Sequence, residues 1–275
     1  MKLSSNPTKN ESSRLGHRLS EFWPIPNAGG DNALCKAYDL PAGHVVAAHC
    51  HNLAQLVFAA RGVMVICRPE GRWLVPPTRA LWLPPLMEHE IRCIGEVHMR
   101  CVYIEPTVVP ELPDRPQTVS VDPLLRELIV AATSISSPVK RDSRDSHLLE
   151  LLIDELRRVP RVPLYLPQPA HQRLAKICEH INSSPHDTTT LEQWAVQLNV
   201  SSKTIGRMFA QETGMTFRQW RLQARMMYGL ELLAVGEKVV DVALSCGYDS
   251  PSAFSFMFRR QFGLTPSAFF DRPAL

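Results

Sequence analysis

Two stretches near the end of the chain repeat one plan, and that plan leaves the fold little freedom. The first is TLEQWAVQLNVSSKTIGRMFAQETG, residues 190–214. Leu191, Trp194, Ala195 and Leu198 recur at helical spacing and make one apolar face. Asn199-Val200 breaks the run, Ser201 can cap a second helix, and Ile205, Met208 and Phe209 give that helix its own inner face. Gly214 stops it. The second stretch is KVVDVALSCGYDSPSAFSFMFRRQFG, 238–263. Val239, Val242 and Ala243 face inward, Gly247 ends the helix and Ser250 can cap the next. Pro251 takes the favoured first helical position, Phe254, Met257 and Phe258 point inward, and Gly263 closes the unit. Helix, tight turn, helix, twice over, is the form of a duplicated helix-turn-helix.

Between them runs TFRQWRLQARMMYGLELLAVG, 216–236, capped by Thr216 and carrying Trp220, Leu222, Ala224, Met227, Leu230 and Leu233. About 18 helical residues at 1.5 Å each span about 27 Å. Two helices that enter successive major grooves on one side of B-DNA stand about 34 Å apart. A stiff connector of this length, with its flanks, suits that spacing. The region resembles the AraC/XylS family of transcription regulators over about its last hundred residues. The resemblance rests on WAVQLNVSSKTIGRMFAQETG, on the arginine-rich connector, and above all on VALSCGYDSPSAFSFMFRRQFGLTPSAF. There Ala243, Gly247-Tyr248, Ser250, Phe254, Phe258, Arg259-Arg260, Phe262-Gly263 and Thr265-Pro266 keep the family's order. It implies a double-stranded DNA partner and an effector-binding barrel ahead of the reader.

On the first reading helix the outward positions are Ser202, Lys203, Gly206 and Arg207. Lys203 and Arg207 are four apart and share a face, and Arg207 has the donors to grip guanine O6 and N7. On the second the outward positions are Ser252, Ala253, Ser255 and Phe256, a departure from family members that carry basic or glutamine side chains there. Serines and an aromatic suit weak, methyl-directed readout, so this motif is expected to position more than to specify. Arg218, Arg221, Arg225, Arg259 and Arg260 are the candidates for phosphate contact.

The first half has a different period. Residues about 33–105 hold short apolar runs broken by Gly, Pro and charge: GHVVAAHCH, AQLVFAA, GVMVICR, RWLVP, RALWLP, HEIRCI and VHMRCVYIE. Close, regular spacing of short strands argues for a sandwich or barrel. Pro76-Pro77 and Pro84-Pro85 mark turns or edges. Within this region Gly43, His49-x-His51, Gln55 and Gly62 resemble the first motif of the cupin barrel, with Gln55 where a glutamate usually stands. The second motif is looser: Pro84 and His89 keep its separation, but Thr78 and Leu86 replace its glycines and Cys93 its asparagine. Alternate residues of a strand share a face, so His49 and His51 can meet. With His89 they make a candidate set for Zn, Fe, Ni or Cu, and Gln55 is a poor fourth ligand. The same four residues equally suit a metal-free pocket for an organic effector, or simple packing. No cofactor is required by either pocket reading; a divalent transition metal is the one candidate.

Between the halves, DPLLRELIVAATSI has Asp122 as its N-cap, and DSHLLELLIDELRRV has a similar apolar face. These helices either cover the strand domain or pair with a second chain. Pro-rich passages at 105–117 and 158–172 suit turns and a linker. Seven cysteines, an odd number without a CxxC pair, suit a reduced cytosolic set, with Cys50, Cys67, Cys93 and Cys101 as small buried hydrophobes or, less simply, a thiol sensor. The net charge of +3 is too small to imply nucleic acid by itself. No apolar run reaches a membrane span, and the polar N-terminus lacks the apolar core of a secretory signal.

The expected chain is thus multidomain, α and β. A mobile arm occupies 1–19, a cupin-like effector-binding β-barrel 20–105, a helical linker or dimerisation segment 106–168, and an all-α domain with two helix-turn-helix motifs 169–275. The expected function is a cytoplasmic, sequence-specific DNA-binding transcriptional regulator under small-molecule control, a homodimer without enzymatic activity. RNA polymerase is a further partner if it activates. Two rivals stand beside it: a metal-dependent cupin enzyme fused to a DNA-binding domain, and a nucleoid-type structural binder.

Overall fold

The computed structural model describes residues 32–160 and 164–270. The expected N-terminal arm and the start of the barrel at 20–31 lie outside the described residues. The chain divides into two compact units, one formed by the described residues up to 68 with 75–163, the other by 69–74 with those from 164 onward. The helices expected as a linker at 106–168 therefore belong to the first unit, and only the residues of that segment from 164 onward to the second.

That unit is a cupin-like, all-antiparallel β structure. Its strands are β1 (Ala33–Leu40), β2 (Val45–His49), β3 (Ala54–Arg68), β5 (Arg79–Leu83), β6 (His89–Ile104) and β7 (Gln117–Ser120), while β4 (Gly71–Val75) lies, but for its last residue, in the second unit. β6 pairs with β1, β2 and β3, and β5 joins β3 to β7. The sequence suggests two short strands on either side of Gly62, and two more on either side of Gly95. The structure makes each pair one long strand, β3 and β6, whose mutual register shifts between Ala59 and Val63. Gly62 has φ +78°, and a Cβ there would stand 2.2 Å from the Glu96 carbonyl oxygen. Only glycine allows this bulge, which bends the long ladder without ending it.

Strand alternation divides the side chains of this sheet. Leu56, Phe58, Val102 and Ile104 point to one face and form a single buried cluster with Leu125, Leu128 and Ile129 of α1 (Pro123–Ala132) and Leu149, Leu152, Ile153 and Leu156 of α2 (Arg144–Arg158). The Asp122 carboxylate caps α1 by accepting from Leu125 N at 2.8 Å, and Ser143 caps α2. The buried apolar residues of both helices thus pack on their own chain, while Leu124 and Leu151 stay exposed. Gln55, His89, Cys101 and Tyr103 point to the opposite face.

The second unit pairs β4 with β8 (Tyr165–Pro167), a strand hidden in the proline-rich passage, and adds seven helices. These are α3 (Gln172–Ser183), α4 (Leu191–Gln197), α5 (Ser202–Thr213), α6 (Phe217–Ala234), α7 (Val239–Ser245), α8 (Pro251–Phe262) and α9 (Pro266–Phe270). Capping explains most of their starts. Ser201, Thr216 and Ser250 each accept a backbone N–H three residues on, and Thr216 forms a full capping box with Gln219. Gly214 and Gly263 end α5 and α8 at φ +70° and +83°. Trp220 is fully buried at the centre of the first motif, edge-on to Phe209 at 5.9 Å, and its indole N–H donates to the Pro167 carbonyl at 2.7 Å. Phe254, Phe258, Phe262 and Phe269 fill the same place in the second.

Candidate nucleic-acid interface and histidine pocket

Helices α4 and α5 form the first helix-turn-helix, with Asn199 at φ +52° making the turn. Ile205 and Phe209 are buried, and Lys203 and Arg207 stand exposed on the other side of α5. Helices α7 and α8 form the second, turning at Gly247, φ +74°. There a Cβ would stand 2.9 Å from His186 Cα, so the turn also needs glycine for close approach. Arg259 and Arg260 are exposed at the end of α8, and Arg218 at the start of α6. The 18-residue α6 joins the two motifs without a break. Two short helices with exposed cations, α5 and α8, are thus joined through one unbroken helix, α6.

The histidines meet in the first unit. His49 on β2 lies opposite His89 on β6 in the strand register, which brings side chains 40 residues apart in sequence into contact. Their ring centroids are 4.4 Å apart. β2 ends at His49, so His51 reaches the pair from the following loop rather than by strand alternation. It is fixed there by Leu86 N, which donates to the His51 carbonyl at 2.7 Å. One ring nitrogen from each of the three lies within 4.8 Å of the others, and all three residues are buried.

The protons on these rings follow from their neighbours. Each Nδ1 lies against a backbone carbonyl: His49 on Ala47 at 2.8 Å, His51 on Leu53 at 2.7 Å, His89 on Met87 at 2.8 Å. A carbonyl only accepts, so Nδ1 carries the hydrogen and, in a neutral ring, Nε2 keeps its lone pair. Burial, aided by the neighbouring His49, pushes His89 down to about 3, and burial lowers His49 as well. Both rings are therefore neutral at physiological pH. The Nε2 of His89 is buried with no hydrogen-bond partner among the described residues. Gln55 Oε1 stands 2.9 Å from His51 Nε2, and Gln55 Nε2 donates to Cys101 Sγ and Tyr103 Oη, both at 3.2 Å.

Two family matches divide the chain in the same order. Residues 33–177 match the AraC-like ligand binding domain, more than half of the chain, and residues 194–272 match a helix-turn-helix domain. The chain belongs to the AraC family of transcriptional regulators. Among its relatives is the HTH-type transcriptional regulator NimR of Escherichia coli K12, 32% identical over 224 residues that cover 82% of each chain. The HTH-type transcriptional regulator RipA of Corynebacterium diphtheriae is 34% identical over 128 residues, 46% of this chain and 36% of that protein. Of solved structures, the DNA-binding domain of AdpA in complex with a target DNA is 31% identical over 36% of this chain and 91% of its own, with a TM-score of 0.34. By its two family matches the regulator joins a ligand-binding domain to a DNA-binding one, and the relatives named here are transcriptional regulators.

Some of the expected contact residues of this AraC-family regulator make internal bonds. Arg221 and Arg225 are turned inward. Arg221 donates to the Thr189 carbonyl at 3.0 Å and lies over the Phe217 ring, and Arg225 donates to the Pro185 and Asp187 carbonyls at 2.7 and 2.8 Å. Through these bonds they hold the loop before α4, a role the sequence does not show. The loop carboxylate Asp187 is held below the usual range by the Thr189 and His180 hydrogen bonds. Gly206, Ser202 and Ser255 are half-buried rather than outward, and a Cβ on Gly206 would touch Leu191 of α4. Cys50 is exposed and Cys67 half-buried, against the expectation of burial, while Cys93 and Cys101 are buried. Sequence reasoning also missed Cys101 and Tyr103 as neighbours of Gln55. The alternation in VHMRCVYIE carries that signal, since it puts both on one face, and register sets Tyr103 opposite Gln55.

Proposed function

We propose that the regulator binds double-stranded DNA as a cytoplasmic homodimer, each chain reading two successive major grooves, under control of an effector site built on His49, His51 and His89. The observation that carries the DNA reading is the unbroken α6 between two capped helix-turn-helix units, because a rigid spacer fixes both reading helices at once. In a footprint of the full-length protein, each chain is expected to protect two segments about one helical turn apart. Inserting about half a turn between them rotates the second segment to the far side of the duplex, and its protection is expected to vanish. Independent protection of both segments at any spacing would refute the rigid spacer. Among the described residues no helix is long and apolar enough to cross a membrane. Leu124 and Leu151 remain exposed on α1 and α2 after those helices have covered the sheet, and they are the apolar residues offered to a second copy. Light scattering tests that step. If the chain activates transcription, RNA polymerase is its further partner.

For the effector site, the donor chemistry favours a divalent transition metal. Three imidazoles, each oriented through Nδ1 by a carbonyl, is the arrangement that supports metal ligation. His51 Nε2 and Gln55 Oε1 stand 2.9 Å apart. A cation beside both would engage the two atoms; without one, the amide can turn end for end, its NH2 on His51 and its oxygen receiving the Tyr103 hydroxyl. Dialysed protein is expected to take up about one equivalent of Zn(II), Ni(II) or Cu(II), and His89→Ala to weaken uptake by more than about tenfold. Neither uptake nor a metal-dependent rise in Tm would leave the turned amide and an organic effector.

A further inference from the structure

The two reading helices superpose by numbering alone. The step from the N-cap Ser201 to the N-cap Ser250 also carries Ile205 to Phe254, Phe209 to Phe258 and Gly214 to Gly263. It carries Thr216, the cap of α6, to Thr265, whose hydroxyl accepts from Ala268 N at 3.4 Å. Core, caps and stops therefore correspond one for one. The same step carries Lys203 to Ser252 and Arg207 to Phe256. Where the first helix offers a guanidinium, the second offers a phenyl ring.

Phe256 is 68% exposed, whereas Phe254, Phe258 and Phe262 of the same helix are buried. The inner face of α8 is complete without it. Its exposed neighbours are Ser252 and Ala253 one turn before and Arg259 and Arg260 one turn after. No side chain in the first two turns of α8 carries an amide or guanidinium that could read a base edge by paired hydrogen bonds. What the helix presents at its reading position is an apolar strip, Ala253 and Phe256, leading into two cations suited to phosphates. In the major groove the apolar feature that distinguishes one base pair from another is the C5-methyl group of thymine.

We propose that Phe256 is the specificity-determining residue of the second helix-turn-helix and that it reads the C5-methyl group of a thymine. This rests on the DNA-binding reading given above. The second motif then specifies as well as positions, but by apolar contact, in place of the hydrogen-bond code of Arg207. Removing one methyl group from the contact costs about fourfold in affinity.

The test uses the full-length protein on duplexes carrying its footprint, with each thymine of the segment protected by the second motif replaced in turn by deoxyuridine, which lacks only the methyl group. The expected result is one position at which the wild-type protein binds about fourfold more weakly and the other thymines neutral. Phe256→Ala is expected to bind the unmodified duplex several-fold more weakly and to be indifferent to deoxyuridine at that position. Phe256→Leu, still apolar, is expected to keep part of the methyl preference. Deoxyuridine without effect at every position overturns the assignment even where both segments remain protected. So does a Phe256→Ala protein that binds like the wild type or still loses affinity with deoxyuridine. Loss of the second protected segment in the wild-type protein would overturn the DNA reading along with it.

Discussion

Replacing Trp220 by alanine is expected to destabilise the second unit by about 3–5 kcal/mol. Three contributions act together. The largest fully buried side chain is removed, and its place lies between α5, α6 and β8, so no single element can collapse into the gap. The edge-on contact with Phe209 of the first reading helix is lost. The Pro167 carbonyl, which receives the indole N–H at 2.7 Å, loses that donor. Against a total stability of about 5–15 kcal/mol this is a large fraction. For a unit of this size each kcal/mol lowers Tm by about 4–8 °C. The melting of the full-length protein, followed by helical circular dichroism, is therefore expected to show its second-unit transition lower by well over 10 °C. DNA affinity should fall as the unfolded fraction grows. Trp220→Phe keeps most of the packing and leaves the carbonyl without its donor, for a loss of about 1–3 kcal/mol. A Trp220→Ala protein that melts within a few degrees of the wild type would show that this side chain does not hold the reading helix to its support.

The contrast between the two units shows what a sequence makes visible. The helix-turn-helix pair was legible because its instructions are local. Ser201, Thr216 and Ser250 each cap a helix through a bond to a residue three positions on, and Gly214 and Gly263 stop helices by their own backbone conformation. The apolar faces of α1 and α2 were legible too, but not their partner, since an apolar face does not say what covers it. The sheet depends on register. β3 and β6 look like four short strands because Gly62 and Gly95 interrupt their apolar runs, and only the partner strand shows that Gly62 is a bulge pressed against Glu96. His49 and His51 were expected together through strand alternation, and they do meet, but His51 arrives from a loop. The closer neighbour, His89, is set opposite His49 by the cross-strand register. The internal bonds of Arg221 and Arg225 were hidden for a related reason. A cation on a helix looks solvated from its own spacing, and the carbonyls that receive these two belong to the loop of residues 185–189.

Arg207→Ala is expected to lower affinity by about 5- to 150-fold, with the loss concentrated at one base pair of the operator. The reasoning starts from what Arg207 is not doing in the free protein. It is exposed on α5, has no hydrogen-bond or ion-pair partner among the described residues, and lies on the side opposite the buried Ile205 and Phe209. Its fork of donors is therefore available without breaking an internal contact, unlike those of Arg221 and Arg225. A fork suits guanine O6 and N7, and losing such a paired contact costs about 1–3 kcal/mol of discrimination. Arg207→Lys separates charge from geometry. It keeps the attraction to the duplex but not the planar fork, so it should recover overall affinity while leaving the preference at that base pair weak. Arg218→Ala is the counter-case, because a phosphate contact carries no sequence information. It should weaken binding by a similar factor on every duplex and reduce the salt dependence of log K by about one unit. Binding measured on a set of duplexes varied one base pair at a time distinguishes the two patterns. If Arg207→Ala lowers affinity equally for all of them, its guanidinium meets the backbone and the first motif must read sequence through Lys203 or through the shape of the groove.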